Sequence, residues 1–192
     1  MAQPVLQQHF YPMHSGPFTP EDRAAMPEDG RRVELIDGAL VVSPSAGRPH
    51  NDVVMHLFRQ LDAVCPPDVT IYPLPFDYRL ADGSELIPDI MVARRADIDE
   101  KRITRTPMLV VEVISPSSRL MDPLVKRAKY QAAGVPAYWI ADPTGPRLTV
   151  LELVDGEYVE RASVGRQDVA LELPFPVTVH LRGLPTEGGS PG

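Results

Sequence analysis

The chain is short of four things, and each shortage closes off a class of protein. It has a single cysteine, Cys65, so no internal disulfide can form and a bridged secreted scaffold is excluded. No apolar run approaches the length of a membrane span, and the first residues lack the basic-then-apolar plan of a signal peptide, so the cytoplasm is the expected location. Positive charge is not in excess: the formal net charge is −7, which argues against a protein that coats nucleic acid nonspecifically through phosphate contacts. There is no internal repeat, and the 22 prolines are scattered rather than gathered into a linker. A length of 192 residues then fits one domain able to bury a core, with loose tails expected over about 1–17 and 186–192.

What is present reads as a soluble globular chain, 43% hydrophobic and 23% charged. Charge is uneven along it. From Arg94 to Lys129 there are nine Lys and Arg against five Asp and Glu, leaving ten against 21 elsewhere. Such a basic block fits either a nucleic-acid face or an ordinary solvated surface.

Local signals punctuate the sequence into elements. Thr19-Pro20-Glu21-Asp22 starts a short helix that stops near Pro27. Asp37-Gly38 predicts a hairpin between Arg32–Ile36 and Ala39–Ser43. Val53, Val54, Leu57, Phe58, Leu61 and Val64 recur at helical spacing between Pro49 and Cys65. Thr70 to Leu80 and Leu86 to Ala93 read as strands joined at Asp82-Gly83, followed by a basic loop to Thr106. The apolar run from Met108 to Ile114 predicts a buried central strand, and Asp122-Pro123 opens a helix that Gly134 closes. Ala137 to Ala141 is a further buried strand, and Arg147 onward alternates as strand material turning at Asp155-Gly156. The order predicts an α/β fold, a mixed central sheet flanked by helices, with an N-terminal hairpin and extra C-terminal strands.

Two of these strands carry an acid inside apolar sequence: Asp89 in Ile87-Pro88-Asp89-Ile90-Met91-Val92, and Glu112 in Leu109-Val110-Val111-Glu112-Val113-Ile114. A lone buried carboxylate is expensive and is normally paired, protonated or bound to a metal. Two such interruptions, with Glu34 as a third in the first hairpin, point to a shared site. Oxygen-only ligands suit Mg²⁺ or Mn²⁺ better than Zn²⁺. Lys126 lies in the first turn of the helix after Asp122, where the helix dipole disfavours a cation. Its partner is either Asp122, four residues earlier, or the carboxylate cluster, and the sequence leaves both open. If Asp89 is a lone buried charge, Asp89→Ala should leave metal-free stability unchanged or raised. Ser115, Ser117 and Ser118 lack a nucleophile-elbow motif and read as a helix lead-in. Tyr138 and Trp139 read as core, Cys65 as helix-end packing, and Tyr130 as core or as a hydrogen-bond donor near the cluster.

Taken in order, Val33-Glu34-Leu35-Ile36-Asp37-Gly38, Pro88-Asp89, Glu112-Val113-Ile114-Ser115-Pro116-Ser117-Ser118, Asp122-x-x-x-Lys126-x-x-x-Tyr130 and Gly134-Val135-Pro136-Ala137-Tyr138-Trp139-Ile140-Ala141-Asp142-Pro143 resemble the Uma-type restriction-endonuclease-like family. These are bacterial proteins of the PD-(D/E)XK nuclease superfamily, and the resemblance runs from about Thr19 to Val154. It implies the restriction-endonuclease-like fold and a divalent metal, Mg²⁺ with Mn²⁺ as substitute, held by Asp89, Glu112 and the backbone carbonyl of Val113. The lysine that the superfamily usually carries two residues after the Glu is absent, since that position is Ile114. The family pattern supplies Lys126 from the following helix instead, with Lys129 as the other lysine in reach. Glu34 would be an outer acid, and His50, at the start of the long helix, either lines the site or caps the helix.

Two function classes follow. In the first, the protein is a Mg²⁺-dependent endonuclease hydrolysing DNA phosphodiesters at Asp89, Glu112 and Lys126. DNA would approach over Arg94, Arg95, Lys101, Arg102 and Arg105, with Arg119 near the metal, and a homodimer would cut both strands. In the second, a noncatalytic nucleic-acid-binding or interaction protein keeps the nuclease fold, a reading that the acidic net charge favours.

Overall fold

A computed structural model describes residues 16–27, 30–43, 46–73, 75–99, 102–103, 105–114 and 123–184. Its first element is the helix α1 (Pro20–Ala24), closed at its start by a reciprocal capping box. The Thr19 N–H donates to Asp22 Oδ2 at 2.8 Å, and the Asp22 N–H donates to Thr19 Oγ1 at 3.2 Å. The hairpin β1 (Arg32–Ile36) and β2 (Ala39–Ser43) has the expected bounds. Its two-residue turn sets Asp37 at φ 49 and Gly38 at φ 77, the left-handed pair that matches strand twist. The helix α2 (Arg48–Asp62) buries Val53, Val54, Leu57 and Leu61. Val64, expected on the same stripe, falls beyond the helix and is exposed.

The two long strands expected on either side of Asp82-Gly83 are each cut in two by proline. Pro73 and Pro75 separate β3 (Val69–Tyr72) from β4 (Asp77–Arg79). Pro88 separates β5 (Glu85–Leu86) from β6 (Ile90–Arg94). Proline offers no N–H to a ladder, so the sheet breaks at those points. The halves belong to different sheets. β3 pairs with β6, whereas β4 pairs with β5 and β5 with β1.

The basic segment forms a short 3₁₀ turn (Arg95–Asp97) and β7 (Arg102–Ile103), which lies parallel to β4. The expected central strand is β8 (Leu109–Val113), followed by α3 (Pro123–Ala132) and β9 (Ala137–Asp142). Then come β10 (Arg147–Val154), β11 (Glu157–Val164), β12 (Asp168–Leu171) and β13 (Val177–His180). The central sheet has six strands in the order β11-β10-β9-β8-β6-β3, mixed because β8 and β9 run parallel. A five-stranded sheet, β2-β1-β5-β4-β7, and the β12-β13 ribbon accompany it, where the sequence suggested one sheet. Among the described residues no helix is long and apolar enough to cross a membrane.

Period-two alternation divides the core between the two faces of the central sheet. Ile90, Val92, Leu109, Val111, Val113 and Trp139 pack with α2 and the ribbon. Met91, Ala93, Val110 and Tyr138 pack with Tyr130 and with Ile36, Tyr78 and Leu86 of the smaller sheet. Asp89 and Glu112 have the parity of the second group. Their carboxylates therefore enter the layer between the central sheet, the small sheet and α3.

Gly38 combines a left-handed backbone with a neighbour, since a Cβ there would overlap Pro17. Gly38→Ala should cost about 1–3 kcal/mol in urea unfolding, because both the backbone and the Pro17 contact are strained. The same substitution at Gly47, which has an ordinary φ and ample space, should cost far less.

Candidate functional site

The site is made where Pro88 stops β5 and β6 begins. Asp89 sits immediately before β6, and its N–H donates to the Val111 carbonyl of β8 at 3.1 Å. The next ladder position is taken by its side chain: Asp89 Oδ2 accepts the Val113 N–H at 2.7 Å. In an extended strand the N–H and C=O of one residue face the same edge, so the Val113 carbonyl also faces the Asp89 side of β8. Ile90 pairs with Val111, which brings Glu112 across from Asp89.

Two further elements complete the cluster. From β1, Glu34 reaches over the Pro88 break, and its Oε1 accepts the Ile87 N–H at 2.8 Å. From α3, Lys126 and Tyr130 project together, one helical turn apart. Lys126 Nζ lies 2.9 Å from Glu112 Oε1 and 2.9 Å from Glu34 Oε1, and the Tyr130 hydroxyl donates to Glu112 Oε1 at 2.7 Å. His50, on the first turn of α2, brings Nε2 to 3.4 Å from Asp89 Oδ1. Glu34, His50, Asp89, Glu112 and Lys126 thus meet in one place, although they come from four elements and one strand lead-in.

Lys129 does not join them. Its ammonium ties together Asp37 and Asp82, at the tips of two hairpins, and so fixes α3 over the small sheet. Lys126 is the lysine directed at the carboxylates. The serines at 115, 117 and 118, and Asp122, lie outside the described residues.

The sequence reading overlooked Arg32. Its Nη1 lies 2.7 Å from Asp89 Oδ1, its Nη2 donates to the Ile87 carbonyl, and Nη2 is 3.9 Å from both Glu34 Oε1 and Glu112 Oε2. The signal was available: Arg32 and Glu34 are two apart on one strand and therefore face the same way.

Electrostatics separate the two central acids. Burial alone would raise the Asp89 carboxyl, but contact with His50, the Arg32 charge and the Val113 N–H hold it well below the usual carboxylate range. For Glu112, burial together with the Asp89 and Glu34 charges outweighs Lys126 and Arg32 and raises it. Burial works against the Lys126 ammonium, yet Glu112 and Glu34 raise it above the ordinary lysine value, so it stays charged at neutral pH.

The donor chemistry fits a hard divalent cation: the oxygens of three carboxylates, set against the side-chain cations Arg32 and Lys126. Among the described residues, however, no group of three His, Cys, Asp or Glu is already disposed to hold an ion. The guanidinium of Arg32 stands among the carboxylates instead.

Of the residues expected along the DNA path, Arg94, Arg95 and Arg105 each engage groups of the protein itself. Arg94 is at the far end of β6 from Asp89, about 16 Å along the strand at ~3.3 Å per residue. Arg94 pairs with Asp68 at 3.0 Å, Arg95 donates to the Pro67 carbonyl at 3.0 Å, and Arg105 pairs with Asp97 at 3.3 Å. Lys101, the Arg102 side chain and Arg119 lie outside the described residues.

The α/β fold with its mixed central sheet is restriction-endonuclease-like. The chain belongs to the Uma2 family, described as "Putative restriction endonuclease", whose model matches residues 20–184. It is similar to the crystal structure of a "putative nuclease belonging to DUF820" from Anabaena variabilis, with a TM-score of 0.68 and 19% identity over 82% of this chain and 90% of that one. No curated protein matches it. Restriction-endonuclease-like families generally use divalent metals.

Two outcomes follow from the charges. Asp89→Ala would strand the Arg32 guanidinium beside an apolar methyl, reversing the sign expected for a lone carboxylate. Urea unfolding in EDTA should show a loss of about 3–5 kcal/mol. Glu112 has the opposite sign. A raised carboxyl binds its proton more tightly in the folded state, so stability falls as pH rises from the unfolded value through the folded one. The stability of Glu112→Gln relative to the parent, in EDTA, should therefore be more favourable at pH 7.5 than at pH 5.

Proposed function

We propose that the protein is a Mg²⁺-dependent endonuclease that hydrolyses DNA phosphodiester bonds at the Glu34–Asp89–Glu112 cluster. The observation that carries this reading is the convergence of three nearly buried carboxylates and the Lys126 ammonium in one layer. Asp89 and Glu112, with the Val113 carbonyl, would hold the cation, and Mn²⁺ would substitute for it. When bound, the cation supplies charge that polarises a phosphate oxygen and acidifies water.

The remaining residues have work that follows from their contacts. Glu34 locks the Ile87 peptide and shares Lys126 with Glu112, which sets the height of the ammonium over the site. Lys126, charged and pinned, stabilises negative charge developing on the phosphoryl oxygens rather than accepting a proton. Tyr130 fixes the Glu112 rotamer by donating to Oε1, and His50 steadies Asp89. A homodimer would place two such sites on opposite strands, which sedimentation in the presence of DNA would read.

A second reading is favoured by one observation: Arg32 already compensates the acids, as in a relic that holds its fold without metal. That protein would bind nucleic acid or a partner and cut nothing. A supercoiled-plasmid assay separates the two. Nicking in Mg²⁺ or Mn²⁺ and none in EDTA is expected of the parent, with Asp89→Asn inactive. Lys126→Ala should slow cleavage by roughly 10²–10³-fold with Mn²⁺ binding nearly intact, because it removes a charge aimed at the phosphate and not a ligand. Lys126→Arg should not restore the rate, since a planar guanidinium does not replace a compact ammonium. A Lys126→Ala protein as fast as the parent in saturating Mg²⁺ would end the lysine's assignment.

A further inference from the structure

We propose that Arg32 is a built-in competitor for the divalent cation: its guanidinium holds Asp89, Glu34 and Glu112 together without metal and must leave them for metal to enter. The inference rests on the metal-site reading above and adds what sets that site's affinity.

Geometry is the first support. Arg32 touches Asp89 Oδ1 at 2.7 Å and stands 3.9 Å from an oxygen of Glu34 and one of Glu112. No other described side chain is placed so close to all three acids. A dication held by Asp89 and Glu112 would lie in the same space, and two cations at such a separation repel.

The second support is the way Arg32 is held. A guanidinium carries five N–H donors, and a firmly seated buried one has most of them met, Nε included. Arg23, on α1, is such a residue: Nε donates to the Val33 carbonyl at 2.8 Å, and the terminal nitrogens donate to Asp77 and Glu85 at 2.8 Å. Arg32 differs, because its Nε is buried with no partner. Its charge is met by the carboxylates, but one of its N–H donors is not, so its seat is less complete than that of Arg23.

A route out is the third support. With 23% of its side chain exposed, Arg32 is the outermost member of the cluster, against 2% for Glu34, 4% for Asp89, 12% for Lys126 and 13% for Glu112. Of the cluster it is the member whose departure toward solvent would disturb the packing least, at the cost of its contacts with Asp89 and the Ile87 carbonyl. Lys126, pinned between Glu34 and Glu112 and packed under α3, stays to neutralise them.

The competition is tested by titrating Mn²⁺ at pH 7.5, followed by electron paramagnetic resonance of the free ion, into the parent, Arg32→Gln, Arg32→Met and Asp89→Asn proteins. Arg32→Gln and Arg32→Met should bind Mn²⁺ at least roughly tenfold more tightly than the parent, a coupling of ordinary size. Both should melt at a lower temperature than the parent in EDTA and recover in Mn²⁺. If either variant folds only with Mn²⁺ present, that recovery counts as support. If Asp89→Asn abolishes binding while both Arg32 variants bind no more tightly than the parent, the competitor role is overturned and the metal site stands. If neither the parent nor the Arg32 variants bind Mn²⁺, the metal site falls and the competitor with it.

Discussion

Three carboxylates share one nearly buried layer, and everything around them is arranged so that they can. Two like charges 4 Å apart repel by about 4 kcal/mol at the effective dielectric of a protein edge, so such a trio is untenable without cations between its members. The chain supplies two. Lys126 comes down from α3 between Glu112 and Glu34, and Arg32 enters along β1 against Asp89. The acids respond differently because their surroundings differ. Asp89, with a peptide N–H, an imidazole and a guanidinium, is held ionised, while Glu112 is pushed toward its protonated form.

Proline is what opens the layer. Leu86 to Ala93 is divided between two sheets at Pro88, so β1, paired with β5, belongs to the smaller sheet rather than to the central one. Pro88 withholds a ladder N–H, the chain leaves one sheet for the other, and Asp89 lands on the step between them. The peptides exposed by the step are then closed by the site's own side chains: Glu34 takes the Ile87 N–H, and Asp89 takes the Val113 N–H. Each caps a sheet break as well as facing its neighbour.

The similarity to the Anabaena variabilis structure, at 19% identity, speaks for the fold alone. Chemistry depends on side chains that a shared fold leaves free to vary. Here Ile114 stands two residues after Glu112, and the ammonium that meets Glu112 comes from a helix, on Lys126. A helix can carry an ammonium to the same carboxylate because Lys126 and Tyr130, four residues apart, share one face. Lys129, clasping two hairpin tips, holds α3 over the small sheet.

Much of this was legible in the chain before any fold was seen. The hairpin at Asp37-Gly38, the stripe on α2, the run of β8 and the helix closed by Gly134 are local properties, determined by turn chemistry and periodicity within a dozen residues. So was the suspicion attached to Asp89 and Glu112, because an acid inside an apolar strand needs a partner wherever that strand goes. The partner itself is not a local property. That Arg32 would meet Asp89, 57 residues on, depended on β1 pairing with β5 and on the sheet breaking at Pro88. That Arg94 would lie at the far end of β6 from Asp89 depended on the length of that strand. Sequence determined which residues carried charge at a cost and which segments could hold them. Tertiary structure alone decided which opposite charges met, because ion pairs form across strand order and sheet layers, and no period in the chain encodes those distances.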